Sequence, residues 1–267
     1  MLPLALAALL AATPAAELPT LSTPPPAPRE VYRVDLAVDL PVSAAAALAI
    51  AIPSLFASDL IAKRCPCSPG EVNGFDRGAI GNANAFADTA SDVTAVVAMA
   101  APPLLDLVHL GYGRAWLEDG AVFAETLLVN GALVEAAKVI VQRPLPRTYA
   151  GDPKLLHEPG GYRSFYSGHT STVFAALGAA AYTLRLREGE QVWPWLVTGA
   201  VGASVAVERV AAGRHFPSDV LVGAAAGLAV GVAVPWLHAR AASAAGPGLA
   251  LVPFGGGGPG LSAVGRF

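Results

Sequence analysis

Six apolar stretches constrain this chain more than any other feature, because each is about as long as a helix that crosses a bilayer. They span residues 41–62, 91–111, 120–142, 168–186, 193–210 and 217–238. About 20 predominantly apolar residues are needed to cross the hydrocarbon core. Ala, Leu, Val and Gly dominate these stretches, and small residues let neighbouring helices approach closely. The pattern predicts an all-α, six-helix bundle embedded in a membrane.

The composition points the same way. Hydrophobic residues make up 54% of the chain, charged residues only 14%, and the mean hydropathy is +0.52. A typical soluble domain carries about 25% charged residues. The net charge of -3 and the lack of a basic tract argue against a nucleic-acid partner. Because Ala and Gly are only weakly hydrophobic, a soluble periplasmic bundle stays open as an alternative.

The chain divides into four segments. Residues 1–16 combine a short apolar run with small residues, which predicts a signal peptide or a short N-terminal anchor. Residues 17–40 form a Pro-rich linker, residues 41–240 the helical domain, and residues 241–267 a Gly-rich flexible tail.

Two features of the loop after the first stretch are interpreted as structural. Cys65 and Cys67 are too few for a structural zinc site, so we read them as loop cysteines without a catalytic role and leave their oxidation state open. Asp76 and Arg77 are read as a surface or loop ion pair.

Three polar clusters interrupt the apolar background, and each falls at a helix end. They are residues 138–147 at the end of the third stretch, residues 166–171 at the start of the fourth, and residues 208–219 between the fifth and sixth. Because successive helices in such a bundle run in opposite directions, all three clusters are expected on one face.

The residue types in these clusters suit an oxyanion. Lys138 and Arg209 can neutralise a phosphate through charge-assisted hydrogen bonds. Ser167 and Gly168 stand at a helix start, where free N–H groups and the helix dipole favour anions.

Two histidines supply candidate reactive groups. His215 and Asp219 are four residues apart, so the carboxylate can hold one imidazole nitrogen and leave the other free to attack phosphorus. His169 is then the candidate general acid for the leaving oxygen.

These clusters resemble the three motifs of the type 2 phosphatidic acid phosphatase superfamily, which includes bacterial acid phosphatases and vanadium haloperoxidases. The family patterns are Lys-x6-Arg-Pro, Pro-Ser-Gly-His and Ser-Arg-x5-His-x3-Asp. The matching residues here are Lys138, Ser167, Gly168, His169, Arg209, His215 and Asp219. The resemblance covers residues 138 to about 238.

The chain departs from the family patterns at three positions. Glu208 stands where the family has serine, and Tyr166 stands in place of proline. Leu145 occupies the position of the first motif's arginine, with Arg143 two residues before it and Arg147 two residues after it. We expect Arg143 to replace the missing phosphate-binding arginine, with Arg147 as the alternative.

The resemblance implies a phosphatase that works through a phosphohistidine, without a metal or other cofactor. It implies His215 as nucleophile, supported by Asp219, and His169 as acid and then base. The expected substrate is a phosphorylated lipid, and the expected location is a bacterial inner membrane with the active site facing the periplasm. A non-specific periplasmic acid phosphatase and a catalytically weak membrane scaffold are the alternatives.

Overall fold

A computed structural model of the chain describes residues 28–65, 67–240, 249–253 and 261–265. The α-helices within these ranges are α1 (Leu36–Leu55), α2 (Ala57–Leu60), α3 (Gly74–Arg77), α4 (Ala85–Leu110), α5 (Arg114–Val141), α6 (Pro146–Tyr149), α7 (Pro153–His157), α8 (Gly168–Glu188), α9 (Trp193–Ala211) and α10 (Pro217–His238). Two 3-10 turns, Pro69–Glu71 and Pro159–Tyr162, lie in the connections. Strands β1 (Leu249–Pro253) and β2 (Leu261–Gly265) pair in antiparallel fashion.

Six helices of the described chain are long, and each coincides with one of the predicted apolar stretches. They are α1, α4, α5, α8, α9 and α10, and they alternate in direction along the bundle. The segment before α1 and the residue after α10 meet at the end of the bundle opposite the three polar clusters, where Tyr32 and Ala239 form an isolated β-bridge. The predicted all-α six-helix bundle is confirmed.

Three of these helices, α1, α4 and α10, are long and apolar enough to cross a membrane by length and composition. The apolar side chains of α1 and α4 point largely outward, since only 6% and 11% of their most apolar windows are buried. A soluble protein rarely exposes such continuous apolar surface to water, whereas in a membrane the acyl chains of the lipid surround it. The chain is therefore a membrane protein.

Helix α8 lies at the centre of the bundle and packs against α4, α5, α9 and α10. Its contact with α10 depends on Gly223, Gly227 and Gly231, which form a stripe at four-residue spacing. A Cβ placed on Gly227 would lie 2.1 Å from the Ser171 carbonyl oxygen, so the two backbones touch. This close approach fixes the start of α8 against the start of α10.

The N-terminal segments differ in part from the prediction. Residues 1–16, predicted as a signal peptide or anchor, and residues 17–27 of the linker lie outside the described residues. The end of the predicted linker is helical, because the Asp35 side chain caps α1 and lets it begin at Leu36. In the 241–267 tail, whose flexibility stays a prediction, β1 and β2 are the described elements.

Cys65 and Cys67 form a disulfide in the connection that follows α2. The backbone N–H of Cys65 donates to the Tyr162 hydroxyl, 3.4 Å away. Gln142, just after α5, accepts a hydrogen bond from the Ala62 N–H at 3.0 Å. The disulfide loop thus lies at the end of the bundle that carries the three polar clusters.

Candidate active site

The first residues of α8 join the clusters of α5 and α10. The Ser167 N–H donates to the Asp219 carbonyl, 3.1 Å away, which ties the two helix starts together. A Cβ on Gly168 would lie 3.3 Å from Lys138 Nζ, so the ammonium group rests directly against the start of α8. The Ser167 hydroxyl is fully buried and caps the helix, accepting from the Thr170 N–H at 3.4 Å.

His215 is held by a backbone carbonyl. Its Nδ1 lies 2.7 Å from the Ser164 carbonyl oxygen. A carbonyl can only accept a hydrogen bond, so Nδ1 carries the proton and Nε2 keeps its lone pair. Burial, together with the positive charges of Arg209 and Lys138, holds the pKa of His215 well below its usual value. The imidazole is therefore neutral at neutral pH.

Asp219 supports His215 through Ser164 and not by the direct hydrogen bond that its spacing suggested. Its Oδ2 is 4.0 Å from His215 Nδ1. That same oxygen accepts from the Ser164 hydroxyl at 2.5 Å and from the Phe216 N–H at 2.9 Å. Asp219 thus fixes the segment whose carbonyl orients the imidazole.

Arg143, which is predicted to bind phosphate, directs its terminal nitrogens at protein side chains. Its Nη1 donates to Asp219 at 2.6 Å and to the Ser218 hydroxyl at 2.8 Å, and its Nη2 donates to Asp76 at 2.8 Å. The guanidinium also stacks on the Phe216 ring at 4.0 Å. Both terminal nitrogens are bound by protein groups, so Arg143 holds the segment behind His215.

Arg147, the alternative, also pairs with a carboxylate. Its Nη2 donates to Asp152 at 2.8 Å, in the connection between α6 and α7. Leu145 itself is buried in the protein. Of the first motif's cations, Lys138 is the one that rests against the start of α8.

Asp76 is fully buried, so its interpretation as part of a surface or loop pair with Arg77 is wrong. Besides Arg143, it accepts from the Ser218 N–H at 2.9 Å and from the Ser218 hydroxyl at 2.7 Å. Burial opposes its charge, but the hydrogen bonds from Ser218 and Arg143 prevail and lower the pKa of Asp76 to about 2. We call Asp76, Arg143, Ser164, Ser218 and Asp219 the support network.

Arg209 is held from α4 and keeps one edge of its guanidinium free. Its Nη1 donates to Asp88 at 2.9 Å, to Ser91 at 3.1 Å and to Asp92 at 3.3 Å. Its buried Nε has no hydrogen-bond partner among the residues that the structure describes. This edge of the guanidinium is available to an anion.

Arg163 is a further cation beside Lys138. Glu135 contacts both, through an ion pair with Arg163 and through a 3.6 Å separation from Lys138 Nζ. The buried Nε of Arg163 has no partner within the described ranges, like that of Arg209. We call Lys138, Arg163 and Arg209 the cation group.

His169 stands at the start of α8 and is linked to the cation group by a carboxylate. Its Nε2 lies 2.8 Å from Asp92 Oδ1, the same oxygen that accepts from Arg209. Asp92 thereby fixes the imidazole and the guanidinium relative to each other.

Sequence reasoning overlooked Asp88, Asp92, Glu135, Arg163 and Ser164. The pair on α4 carried a signal, since carboxylates four residues apart share one helix face at the start of an otherwise apolar span. Glu135 is three residues before Lys138 and lies on the same face. Arg163 lies in a loop, where no periodicity indicates its direction.

Comparison with known proteins agrees with the motifs. The PAP2 superfamily profile matches residues 119–243, which include all three polar clusters. This match confirms the predicted resemblance and the phosphoric ester hydrolase class that the resemblance implies. It leaves α1 and α4 outside the matched range.

Two solved structures are similar in part. LpxE from Aquifex aeolicus is 25% identical, with 59% of this chain and 90% of that chain covered and a TM-score of 0.43. The transmembrane PAP2 type phosphatidylglycerolphosphate phosphatase from Bacillus subtilis is 20% identical, with 76% and 92% covered and a TM-score of 0.46.

Proposed function

We propose that this chain is a phosphatase that removes phosphate from a phosphorylated lipid through a phosphohistidine on His215, with no metal at the reaction site. One observation carries the proposal: the buried Nε–H groups of Arg163 and Arg209 lack partners in the described part of the chain. Buried donors are nearly always satisfied in native proteins. Two orphaned guanidinium donors near one lysine therefore fit an anion that binds among them.

In the first step, Nε2 of His215 attacks phosphorus while Nδ1 keeps its proton on the Ser164 carbonyl. As the N–P bond forms, the bond to the leaving oxygen breaks, and His169 donates a proton to that oxygen. The cation group and the free N–H groups at the start of α8 stabilise the negative charge that develops on the phosphoryl oxygens. The phosphate is then covalently bound to His215.

In the second step, water attacks the phosphohistidine. His169, now neutral, takes a proton from the water, and the electron pair of the N–P bond returns to Nε2 of His215. Asp92 stabilises the imidazolium that forms, since its carboxylate lies 2.8 Å from His169 Nε2. Phosphate leaves, and both histidines regain their starting protonation states.

A lipid is favoured as substrate by the surface beside the site. A groove of about 560 Å³ runs between α9 and α10, next to the loop that carries His215. Phe75, Phe174, Val207 and Leu221 are among its apolar lining residues. Such a groove suits an acyl chain, and lipid would approach it from the membrane.

We place the chain in an inner membrane with the active site facing the periplasm. The disulfide between Cys65 and Cys67 lies at the active-site end, and disulfides persist in oxidising compartments such as the periplasm. The three candidate spans disfavour a soluble periplasmic protein. Labelling a Lys154→Cys variant, made in a background without Cys65 and Cys67, with an impermeant thiol reagent in intact cells tests this orientation.

The activity is tested with purified full-length protein and three variants: His215→Gln, His169→Gln and, as matched control, His157→Gln. His157 is exposed in the connection before α8. We expect His215→Gln to abolish phosphate release from phosphatidic acid in mixed micelles, and His157→Gln to leave it unchanged. Equal release by wild type and His215→Gln would favour the scaffold alternative. A phosphorylated His215 peptide in rapidly quenched His169→Gln protein would identify the intermediate.

The substrate class is tested by filling the groove. Ala203 lines it, whereas Ser204 is exposed one position further along α9 and is absent from the lining. We expect Ala203→Trp to raise KM for the lipid severalfold while p-nitrophenyl phosphate turnover is unchanged, and Ser204→Trp to affect neither. An unchanged KM for the lipid in Ala203→Trp would favour the non-specific acid phosphatase.

A further inference from the structure

The end of the bundle opposite the active site holds a second cluster of chemically capable side chains. Asp39 of α1, Glu125 of α5 and His238 of α10 each present one ligand atom, and the three atoms lie within 4.8 Å of one another. His238 Nε2 is 3.3 Å from Asp39 Oδ1 and 3.9 Å from Glu125 Oε2. Along α5, Glu125 is 13 residues before Lys138, or about 20 Å at the helical rise.

The histidine of this cluster is oriented as a metal ligand. His238 Nδ1 lies 2.8 Å from the Val234 carbonyl oxygen, which must accept the Nδ1 proton. The lone pair of Nε2 therefore points at the two carboxylates. A ligating histidine almost always donates its other ring N–H to a carbonyl or carboxylate in this way.

Glu125 supplies an independent indication that a ligand is missing. Its side chain is only 9% exposed. Within the described residues, no hydrogen-bond donor reaches its carboxylate, and its closest charged partner is His238 at 3.9 Å. Charges on largely buried side chains are normally paired or coordinate a metal. Asp39, by contrast, uses its other oxygen to accept from the Asp35 N–H at 2.7 Å.

We propose that Asp39, Glu125 and His238 bind a divalent transition-metal ion of the zinc class. One imidazole nitrogen and two carboxylate oxygens favour zinc over magnesium or calcium, which prefer oxygen alone. Around tetrahedral zinc, such ligand atoms stand roughly 3.3 Å apart. The observed separations need only a small closure of Glu125. A cleft of about 700 Å³ lined by all three residues gives the ion access from solvent.

The metal would have a structural role that is independent of the proposed phosphatase activity. Among the long helices, α5 is the main packing partner of α1 in the described chain, and most of α1 faces outward. A metal ligated from α1, α5 and α10 would fasten this peripheral helix to the bundle. The site lies beside the bridge between Tyr32 and Ala239, where the segment before α1 meets the residue after α10.

The test uses full-length protein without a polyhistidine tag, stripped with a chelator and titrated with Zn²⁺ in detergent. We expect one ion bound per chain and a higher Tm with zinc. Glu125→Gln and His238→Gln should each weaken binding at least about tenfold and abolish the Tm shift. His109→Gln, which alters an exposed histidine paired with Glu188, is the matched control and should bind like wild type.

Two kinds of result would overturn the proposal, and one control shows that the variant is folded. If wild type binds no zinc, or if Glu125→Gln binds zinc as tightly as wild type, the proposal is overturned. The cluster would then be an ion-paired group without a metal. Magnesium or calcium binding at the same residues with no zinc binding would overturn the metal class. Retained phosphatase activity in Glu125→Gln shows that this variant is folded, because the active site lies at the other end of α5.

Discussion

Arg143 and Arg209 lie at the same end of the bundle and both face carboxylates, yet their hydrogen bonding differs. Arg143, in the support network, uses both terminal nitrogens on Asp76, Ser218 and Asp219. Arg209, in the cation group, is anchored through Nη1 and keeps a buried Nε without a partner in the described chain. An arginine whose terminal nitrogens both bind carboxylates stabilises the protein, whereas a buried donor without a partner is available to a ligand. We propose that this contrast separates residues that position His215 from residues that bind phosphate.

Arg143→Gln should give the largest effect on stability. Removing one partner of a buried ion pair leaves uncompensated charge and costs about 3–5 kcal/mol. Here Asp76 and Asp219 would both lose their cation. We expect a large fall in Tm in detergent. Arg147→Gln is the control, because its more exposed pair with Asp152 should contribute no more than about 1 kcal/mol. If Arg143→Gln lost activity with an unchanged Tm, Arg143 would belong with the phosphate-binding cations.

Arg209→Gln should do the reverse and reduce activity more than stability. Removing one preorganised donor to a developing anion costs about 100-fold to 1,000-fold in rate. Asp88 keeps a partner in the variant, since Arg214 Nη2 lies 2.6 Å from it. We expect kcat/KM to fall by that factor with a small Tm change. A Tm loss as large as that of Arg143→Gln would remove the distinction between the two regions.

Arg163→Gln tests whether this loop residue replaces the arginine missing at Leu145. A hydrogen bond to a charged group contributes about 1.5–3 kcal/mol, so we expect kcat/KM to fall about 10-fold to 100-fold. Arg185→Gln serves as control, because Arg185 pairs with Glu190 on the opposite end of α8. Equal activity in Arg163→Gln and wild type would leave Lys138 and Arg209 as the phosphate cations.

The pH profile should give the smallest effect. Burial and the charges of Arg209 and Lys138 lower the pKa of His215, so protonation disables the nucleophile only well below the usual histidine value of about 6.5. We expect the acid limb of kcat/KM to follow that lowered pKa. In Arg209→Gln, one neighbouring positive charge is gone, the pKa of His215 rises, and the acid limb should move to higher pH. Measuring both proteins with one substrate cancels the ionisation of the substrate. A shift to lower pH would contradict this electrostatic explanation.

The fold could be predicted in outline because its signals are local. Six apolar stretches indicated six long helices, and alternation of direction placed residues 138–147, 166–171 and 208–219 at one end. Helix α1 begins earlier than the predicted residue 41, because the Asp35 side chain caps it. The prolines before residue 41 had indicated an extended segment. A capping hydrogen bond depends on one side chain in the first turn, and the composition of a whole segment does not show it.

The site was harder, because spacing does not show which atoms meet. Asp219 has the expected separation from His215, but its carboxylate reaches Ser164 and the backbone of its own helix start. Arg143 stands near the expected motif position, but it forms an ion pair with Asp76. Asp76 is 67 residues away in the chain. No sequence pattern indicated a role for Arg163. Its ion pair with Glu135, which also faces Lys138, shows that it lies at the site.

The sequence by itself determined the number of helices, the end of the bundle that carries the site, and the residue types that suit phosphate. These follow from hydrophobic length and chain direction, which are properties of contiguous segments. Only the tertiary structure decided which arginine has both terminal nitrogens bound, which one keeps a buried Nε without a partner in the described chain, and that Asp39, Glu125 and His238 meet at the far end. The physical reason is that hydrogen-bond satisfaction depends on partners from distant segments, and packing alone brings those partners within 3 Å or keeps them apart.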